Sequence, residues 1–269
     1  MSDNDFFSDL VELARRDELP AVVGRIEESL HLYISLQGSE DFLRNPLVVG
    51  PDRSGKMSVV YQMIKNFFEP ERFGRAILIN TDKIQSMDNF ESVVDGFDAT
   101  TMFILPHLCS LIDRTQGQLA YYLRSSAKRT HHSFLGTCNE GCHASLEKNH
   151  RTLIDQVFFR RIFLKEMDTE SVVNLLFQQS VNNEHDVYVN ADLIVEIGHL
   201  SSSIEIGIWN PEKAFKIVAG ATQLCVLEGK TEMERSHVYQ FASNISGISS
   251  EELQLRVVSA RHGHPLWDR

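Results

Sequence analysis

The segment that most constrains the fold is the glycine loop at residues 50–57, Gly-Pro-Asp-Arg-Ser-Gly-Lys-Met. It follows the short apolar run Leu47–Val49 and precedes apolar residues at helical spacing, which predicts a strand, a loop and a helix in that order. The spacing G-x-x-x-x-G-K is typical of a phosphate-binding loop, in which backbone N–H groups and the lysine hold phosphates. The sequence therefore predicts a phosphate site around Lys56, with a chance match in an ordinary strand-to-helix turn as the alternative.

One position of this loop departs from the usual chemistry. The residue after the lysine normally supplies a hydroxyl to Mg²⁺, and here it is Met57. Mg²⁺ prefers hard oxygen ligands, which a thioether does not provide. Ser58 carries a hydroxyl one residue later, but about 100° further around the helix. The candidate nucleotide contacts in this loop are Gly50, Pro51, Asp52, Arg53, Ser54, Gly55, Lys56, Met57 and Ser58. Of these, Arg53 either adds positive charge or points into solvent.

Composition and charge exclude several classes of protein. The chain has 269 residues, of which 42% are hydrophobic and 23% charged, as in ordinary globular proteins. The net charge of −11 argues against an electrostatic grip on nucleic acid or on an anionic membrane. No apolar run approaches the roughly 20 residues of a membrane span. The first five residues are polar and acidic, unlike a signal peptide, so we predict a cytoplasmic location.

The cysteines are too few for a disulfide scaffold in a chain of this length. Cys138, Cys142 and His143, with other histidines nearby, suggest a zinc site, but a second clearly spaced ligand pair is missing. We therefore expect the cysteines, Cys109 and Cys225 included, to be small buried or loop residues, with the zinc site as the alternative.

Short apolar runs alternate with helical patterns in the first part of the chain. An amphipathic helix is predicted over residues 6–16, and the predicted strands are Leu47–Val49, Ala76–Ile79, Met102–Leu105, residues 133–136 and residues 162–164. Such alternation is typical of a parallel α/β sheet. From residue 169 onward only helical patterns appear. The predicted organisation is an α/β core over residues 1–166, a helical domain over 167–260 and a tail over 261–269.

This plan resembles the AAA+ superfamily, in particular the first ATPase domain of ClpA/ClpB-type unfoldases and disaggregases. Residues 22–28 are similar to the family segment that lines the adenine pocket, and residues 45–50 are similar to its approach to the phosphate loop. Residues 210–214 resemble a lid segment with a nucleotide-sensing lysine, and residues 246–248 resemble the linker that leaves the domain.

The resemblance covers roughly residues 6–250 and implies a fold and a set of roles. The implied fold is an AAA+-like parallel five-stranded sheet flanked by helices, followed by an all-helical lid. Val22 and Val23 are implied to contact the adenine, and Lys213 to sense the nucleotide. The alternative for Lys213 is a solvated residue in the first turn of a helix.

The resemblance fails at the groups that hydrolyse ATP. The family's third strand is followed by an Asp that orients Mg²⁺ and a Glu that activates water. Here Pro106 and His107 stand at those positions, so the acid pair is degenerate. The positions of the family's paired arginine fingers align with Val157 and Phe158, although a gap of one residue would restore an arginine there.

Two further parts of the family's machinery are altered. Residues 80–101 contain no Tyr for the family's aromatic pore loop, and Phe90 aligns better with the helix beyond it. The sensor after the fourth strand has a candidate in Asn139, whose alternative is an ordinary loop asparagine.

The sequence thus predicts a pseudo-ATPase in which ATP hydrolysis is weak or absent. ATP or ADP remains a candidate ligand, because loop N–H groups and Lys56 can hold phosphate without acids, but Mg²⁺ dependence is in doubt. We expect protein partners, either an AAA+ ring or a multi-protein assembly such as a bacterial secretion system, for which the chain would act as scaffold or adaptor. The alternative is a divergent active ATPase or chaperone module, in which Ser58 or His107 replaces a lost group.

Overall fold

The computed structural model describes residues 6–37, 45–69, 74–98, 100–126, 132–180 and 187–261. The chain divides into two compact units, Met1–Lys165 and Glu166–Arg269. The independence of these units as domains, with boundaries near residues 166 and 260, stays a prediction.

A six-stranded sheet forms the centre of the first unit, in the order β1-β3-β4-β5-β2-β6. The strands are β1 (Phe7–Asp9), β2 (Leu47–Val49), β3 (Ala76–Ile79), β4 (Met102–Leu105), β5 (Ser133–Cys138) and β6 (Arg161–Phe163). Strands β2 to β6 pair in parallel, which confirms the predicted α/β sheet. Because parallel strands end at the same edge, the loops after β2, β4 and β5 come together there.

The helices of this unit cover both faces of the sheet. They are α1 (Leu10–Arg15), α2 (Ile26–Leu36), α3 (Lys56–Asn66), α4 (Met87–Val94), α5 (Leu108–Arg114), α6 (Gln118–Ser126), α7 (Glu140–Asn149) and α8 (Arg151–Gln156). Strand β2 shows why two layers are needed: Leu47 and Val49 belong to one hydrophobic cluster, and Val48 belongs to the cluster on the opposite face. A strand that is apolar on both sides needs helices on both sides.

The N-terminal segment differs from the prediction. The predicted helix over residues 6–16 is wrong at its start, because Phe7–Asp9 pairs antiparallel with β3 as a sixth strand. The Phe7 ring packs edge-on against Phe97, with 4.9 Å between ring centroids. Asp9 then caps α1 by accepting the backbone N–H of Val11 at 3.0 Å. The edge pairing and the cap together move the start of the helix to Leu10.

The second unit is helical. Its helices are α9 (Thr169–Ser180), α10 (Ala191–Ser203), α11 (Glu212–Leu227), α12 (Arg235–Ser246) and α13 (Ser250–Arg261). A buried polar contact joins α10 to α12, where the Tyr239 hydroxyl donates to Glu196 at 2.7 Å and Arg235 lies 2.9 Å from the same carboxylate. The hydroxyl donor and the guanidinium cation offset the cost of burying the Glu196 carboxylate.

The expected linker at residues 246–248 is instead a turn inside this unit. Gly247 caps α12 in the left-handed conformation, with φ +72°. The chain then forms α13, which buries Leu253 and Val257 in the same hydrophobic cluster as the other helices. Of the predicted tail, residues 262–269 lie outside the described residues.

A close approach between α9 and α10 gives a test of the helical unit. A Cβ atom on Gly198 would lie 2.3 Å from Cγ2 of Val173, a side chain with restricted χ1. Gly198→Ala is therefore expected to lower the free energy of unfolding by about 1–3 kcal/mol, measured by urea denaturation.

The matched control is Gly141→Ala in α7. Its Cβ would meet its nearest neighbour, Asn139 Oδ1, at an ordinary 3.7 Å, so the change is expected to be neutral or stabilising by less than about 1 kcal/mol. Equal stability of the Gly198→Ala variant and the wild type would contradict the helix packing described above.

Candidate functional site

The glycine loop lies where β2, β4 and β5 end. The Gly50 N–H donates to the carbonyl of Cys138 at 3.2 Å, which joins the start of the loop to the end of β5. Gly55 caps α3 in the left-handed conformation with φ +89°, where other residues are strained. A Cβ on Gly50 would lie 2.8 Å from Ser54 Oγ and 3.1 Å from Leu164 Cβ. Both loop glycines are therefore required by local geometry.

The Lys56 side chain runs beneath this loop. Its Nζ donates to the carbonyls of Gly50 at 2.8 Å and Pro51 at 2.5 Å, and the residue is only 8% exposed. Burial lowers the pKa of Lys56, while the Asp52 carboxylate and Cys138 act in the opposite direction. The Lys56 ammonium group is therefore partly desolvated and is held by two carbonyls of the loop.

Arg25 holds the loop in place through the Ser54 carbonyl. The sequence pattern did not identify it as a site residue. It is 2% exposed. Its guanidinium donates to the Ser54 carbonyl at 2.8 Å, the Lys165 carbonyl at 3.0 Å and the Glu28 carboxylate at 2.7 Å. These contacts place the preceding segment, with the half-buried Val22 and Val23, beside the loop. The available signal was an arginine three residues before a glutamate at the start of a helix.

The residues after the lysine take other roles than Mg²⁺ binding. Met57 packs against a hydrophobic cluster of the first unit, so its side chain fills space in the core. A Cβ atom on Gly55 would lie 3.7 Å from Ser58 Oγ and 3.7 Å from Arg25 Nε. The Ser58 hydroxyl is thus on the side of the loop that faces Arg25.

The end of β4 carries no carboxylate. Pro106 follows the strand, and His107 adopts φ +50° at the start of α5, where its N–H donates to Thr137 Oγ1 at 3.4 Å. Neither residue offers an anionic oxygen to a metal ion. Both positions therefore shape the turn between β4 and α5.

Asn139 connects the end of β5 to the glycine loop. Its Oδ1 accepts the Cys142 N–H at 2.8 Å and so caps α7. Its Nδ2 donates to the Asp52 carboxylate, at 3.2 Å to Oδ1 and 3.3 Å to Oδ2. The structure thus brings a predicted sensor residue into direct contact with a predicted loop residue.

The expectation for two of the cysteines is wrong. Cys109 on α5 and Cys142 on α7 form a disulfide with 5.8 Å between their Cα atoms. Cys138 is a free, buried thiol at the end of β5, and its burial raises its pKa to about 12, with Lys56 opposing the shift. Among the residues that the structure describes, no group of three His, Cys, Asp or Glu side chains is arranged to hold a metal.

A cavity of about 340 Å³ opens beside this disulfide. It lies between α5 and α7 and is lined by His107, Cys109, Asp113, Cys138, Asn139, Cys142 and His150, among others. Both cysteines of the disulfide are half-buried and reach this cavity. The disulfide therefore lies beside a cavity at the same edge of the sheet that carries the loop.

The remaining predicted residues occupy other settings. Val157 and Phe158, the aligned finger positions, are buried in the core, and Arg161 pairs with Glu147 at 3.0 Å. Phe90 is buried on α4, which agrees with its assignment to a helix.

Lys213 is buried within the helical unit and is not a solvated side chain. Its Nζ donates to the Ile204 carbonyl at 2.7 Å and lies 3.2 Å from Glu166. The sensing role of Lys213 stays a prediction.

Comparison with solved structures identifies the fold. Hsp104, a ClpB-type AAA+ disaggregase, matches in a closed state with ATPγS and FITC casein, at a TM-score of 0.79 and 17% identity over 92% of this chain. Hsp104 of S. cerevisiae matches in an extended casein complex (TM-score 0.71, 17% identity, 90% of this chain) and in an ADP complex (TM-score 0.77, 16% identity, 96% of this chain).

The fold of this chain is therefore similar to the AAA+ fold of Hsp104. This chain spans about half of each Hsp104 chain: 47%, 45% and 48%. No protein-family model matches the sequence, and no curated protein matches it. None of the helices among the described residues is long and apolar enough to cross a membrane.

Removal of the Arg25 guanidinium tests its hold on the loop. Arg25→Met keeps the apolar stem but leaves two backbone carbonyls and Glu28 without their donor. We expect the free energy of unfolding to fall by about 2–4 kcal/mol, measured by urea denaturation, because these partners are buried or partly buried.

Arg151→Met serves as the control, since the contact that Arg151 makes among the described residues is an exposed ion pair with Asp155. A change within about 0.5 kcal/mol is expected there. Similar losses in the two variants would show that Arg25 has no special role at the loop.

Proposed function

We propose that this chain is a catalytically degenerate AAA+ module, a pseudo-ATPase that binds ATP or ADP without turning it over. The observation that carries the proposal is the contrast between two adjoining parts of one site. A buried Lys56 within a glycine loop at the start of α3 supports phosphate binding, whereas the end of β4 offers Pro106 and His107 where hydrolysis needs two carboxylates.

The residues present fit the phosphates of a nucleotide. The loop wraps the start of α3, whose N-terminal N–H groups favour anions. Ser54 Oγ is buried without a hydrogen-bond partner among the described residues, so a polar group is still to be satisfied inside the loop. A bound nucleotide would supply anionic phosphate oxygens, which Lys56, the loop N–H groups and Ser54 Oγ can contact.

The same residues do not fit a catalytic Mg²⁺ ion. Met57 packs against a hydrophobic cluster, and neither Pro106 nor His107 after β4 carries a carboxylate. Asp52 is the only carboxylate in the loop itself, and Asn139 already donates to it. Because a positioned metal and a base normally stabilise the transition state, their loss removes most of the expected rate. His107, at the degenerate base position, is left with a structural role in the turn.

Binding without turnover suits a scaffold or adaptor. The Hsp104 structures contain casein and nucleotides, so the fold serves protein-handling machines in that case. We infer that this chain acts through protein partners in the cytoplasm, as part of an AAA+ ring or of a larger assembly such as a bacterial secretion system. Nucleotide occupancy would then change the shape presented to the partner rather than drive cycles of work.

Titration with ATP and with ADP, in the presence of Mg²⁺ and of a chelator, tests the binding site. We expect binding under both conditions, and we expect Lys56→Ala to weaken it about tenfold or more, because a charged hydrogen-bond donor is lost. Lys65→Ala, on the exposed face of the same helix, is the matched control and should bind normally. Calorimetry measures the affinities.

A phosphate-release assay on the same proteins addresses the alternative. We expect the wild-type chain to release phosphate from ATP no faster than the Lys56→Ala variant does. Mg²⁺-dependent release that Lys56→Ala abolishes would establish a divergent active ATPase instead.

The charge on Asp52 gives a second test of nucleotide binding. A carboxylate in the loop repels phosphate, so Asp52→Asn is expected to tighten ATP binding by about three- to tenfold. The new amide oxygen can still accept from Asn139 Nδ2, which keeps the loop contact. Asp88→Asn, an exposed residue on α4, is the control for net charge. Unchanged or weaker ATP binding by Asp52→Asn would place the phosphates elsewhere.

A further inference from the structure

The disulfide occupies the edge of the sheet where the candidate site is built. Cys109 lies in the first turn of α5, just after His107, and Cys142 lies in the first turn of α7, just after Asn139. The bond spans 33 residues of sequence and ties together the helices that follow two neighbouring strands. It therefore cross-links the two turns that flank the phosphate loop.

A short chain of contacts runs from the sulfur atoms to the loop. The Cys142 N–H donates to Asn139 Oδ1 at 2.8 Å, and Asn139 Nδ2 donates to the Asp52 carboxylate at 3.2 Å. Asp52 in turn favours the charged form of Lys56. Two hydrogen bonds thus connect Cys142 of the disulfide to Asp52 in the loop.

We propose that Cys109 and Cys142 form a reversible thiol-redox site whose reduction by a dithiol loosens the hold of Asn139 on the phosphate loop. This proposal rests on the proposed function only where it names nucleotide as the ligand of the loop. The disulfide itself, and its link to Asp52, are independent of any ligand.

The chemistry balances as a two-electron thiol–disulfide exchange. A thiolate of the dithiol attacks one sulfur of the Cys109–Cys142 bond, forming a mixed disulfide and releasing the other cysteine as a thiolate, which takes up a proton. The second thiol of the reductant loses its proton and attacks the reductant's own sulfur in the mixed disulfide, so that the bond to the remaining cysteine breaks and this cysteine leaves as a thiolate that takes up a proton. Cys109 and Cys142 end as thiols, and the reductant ends as a cyclic disulfide. The cavity between α5 and α7, which both cysteines line, is the route by which the reductant would reach the bond.

The other cysteines do not compete in this exchange. Cys138 and Cys225 are buried, and burial raises the pKa of each thiol, to about 12 for Cys138. Neutral buried thiols are poor nucleophiles. In the cytoplasm, where we place the chain, disulfides that do form are usually transient and redox-sensing.

The direction of the effect follows from Asp52. In the oxidised protein, Asn139 holds the Asp52 carboxylate within the loop, where it opposes phosphate. Reduction frees the start of α7, so that Asn139 and Asp52 can move away from an incoming phosphate. We expect ATP to bind about fivefold more tightly to the reduced protein, at the lower end of typical couplings between sites.

The test uses the full chain in oxidised form and after treatment with dithiothreitol. Alkylation followed by mass spectrometry reports whether Cys109 and Cys142 are bonded, and hydrogen–deuterium exchange reports the amides of residues 51–56 and of Cys142. Calorimetric titration with ATP gives the affinities. The double variant Cys109→Ser/Cys142→Ser keeps Cys138 and Cys225 and is the control for other effects of the reductant.

We expect faster exchange in the loop and at Cys142 on reduction of the wild type, and no response of the double variant. Absence of the Cys109–Cys142 bond after mild oxidation, or equal loop exchange in the two redox states, would overturn the proposal. The loop could respond to reduction although the protein binds no ATP in either redox state. That result would contradict the proposed function but support the redox site.

Discussion

A lysine ammonium buried under a glycine loop must be solvated by the protein itself, and the rest of this site is arranged around that requirement. The carbonyls of Gly50 and Pro51 turn inward to accept from Lys56. They can do so because Gly50 has no side chain in the space taken by Ser54 and Leu164. Arg25 then holds the far side of the loop through the Ser54 carbonyl. If the loop shifted so that these carbonyls no longer accepted from Lys56, its buried ammonium group would lose these hydrogen bonds, which is costly.

The charge balance of this edge is consistent with the proposed binding of nucleotide without hydrolysis. In an active site for phosphoryl transfer, one carboxylate positions the Mg²⁺ ion that offsets the charge of the phosphates, and a second carboxylate activates the attacking water. Here the carboxylates are replaced by Pro106 and His107, so the site has less negative charge to neutralise. Lys56 and the N-terminus of α3 can then meet the phosphates without a metal. The absence of the acids is therefore consistent with Met57 at the position that normally supplies a hydroxyl. Without a bound Mg²⁺ ion, neither the acids nor the hydroxyl is needed.

Local pattern predicted most of the sheet, and long-range pairing explains what it missed. The bounds of β2, β3 and β4 follow from uninterrupted apolar runs, whereas β5 extends to Cys138 because Thr137 and Cys138 pair with Val48 and Val49. Strand β1 was hidden inside a helical pattern, since its three residues depend on β3, which lies about 70 positions later. Among the site residues, the loop and the degenerate acid pair could be found from spacing. The role of Arg25 could not, because its partners at Ser54 and Lys165 are distant in sequence.

The disulfide shows the same limit and also the signal that could have revealed it. Cys109 and Cys142 each lie four residues after the last residue of a strand, Leu105 and Cys138. Because β4 and β5 are parallel neighbours, equivalent positions in the following helices come side by side. Knowledge of strand order would thus have turned two separate cysteines into a candidate pair. In an active module this edge would be occupied by a metal and a water molecule. Here a covalent bond ties together the helices that follow β4 and β5, next to the predicted degenerate acid pair and the predicted sensor.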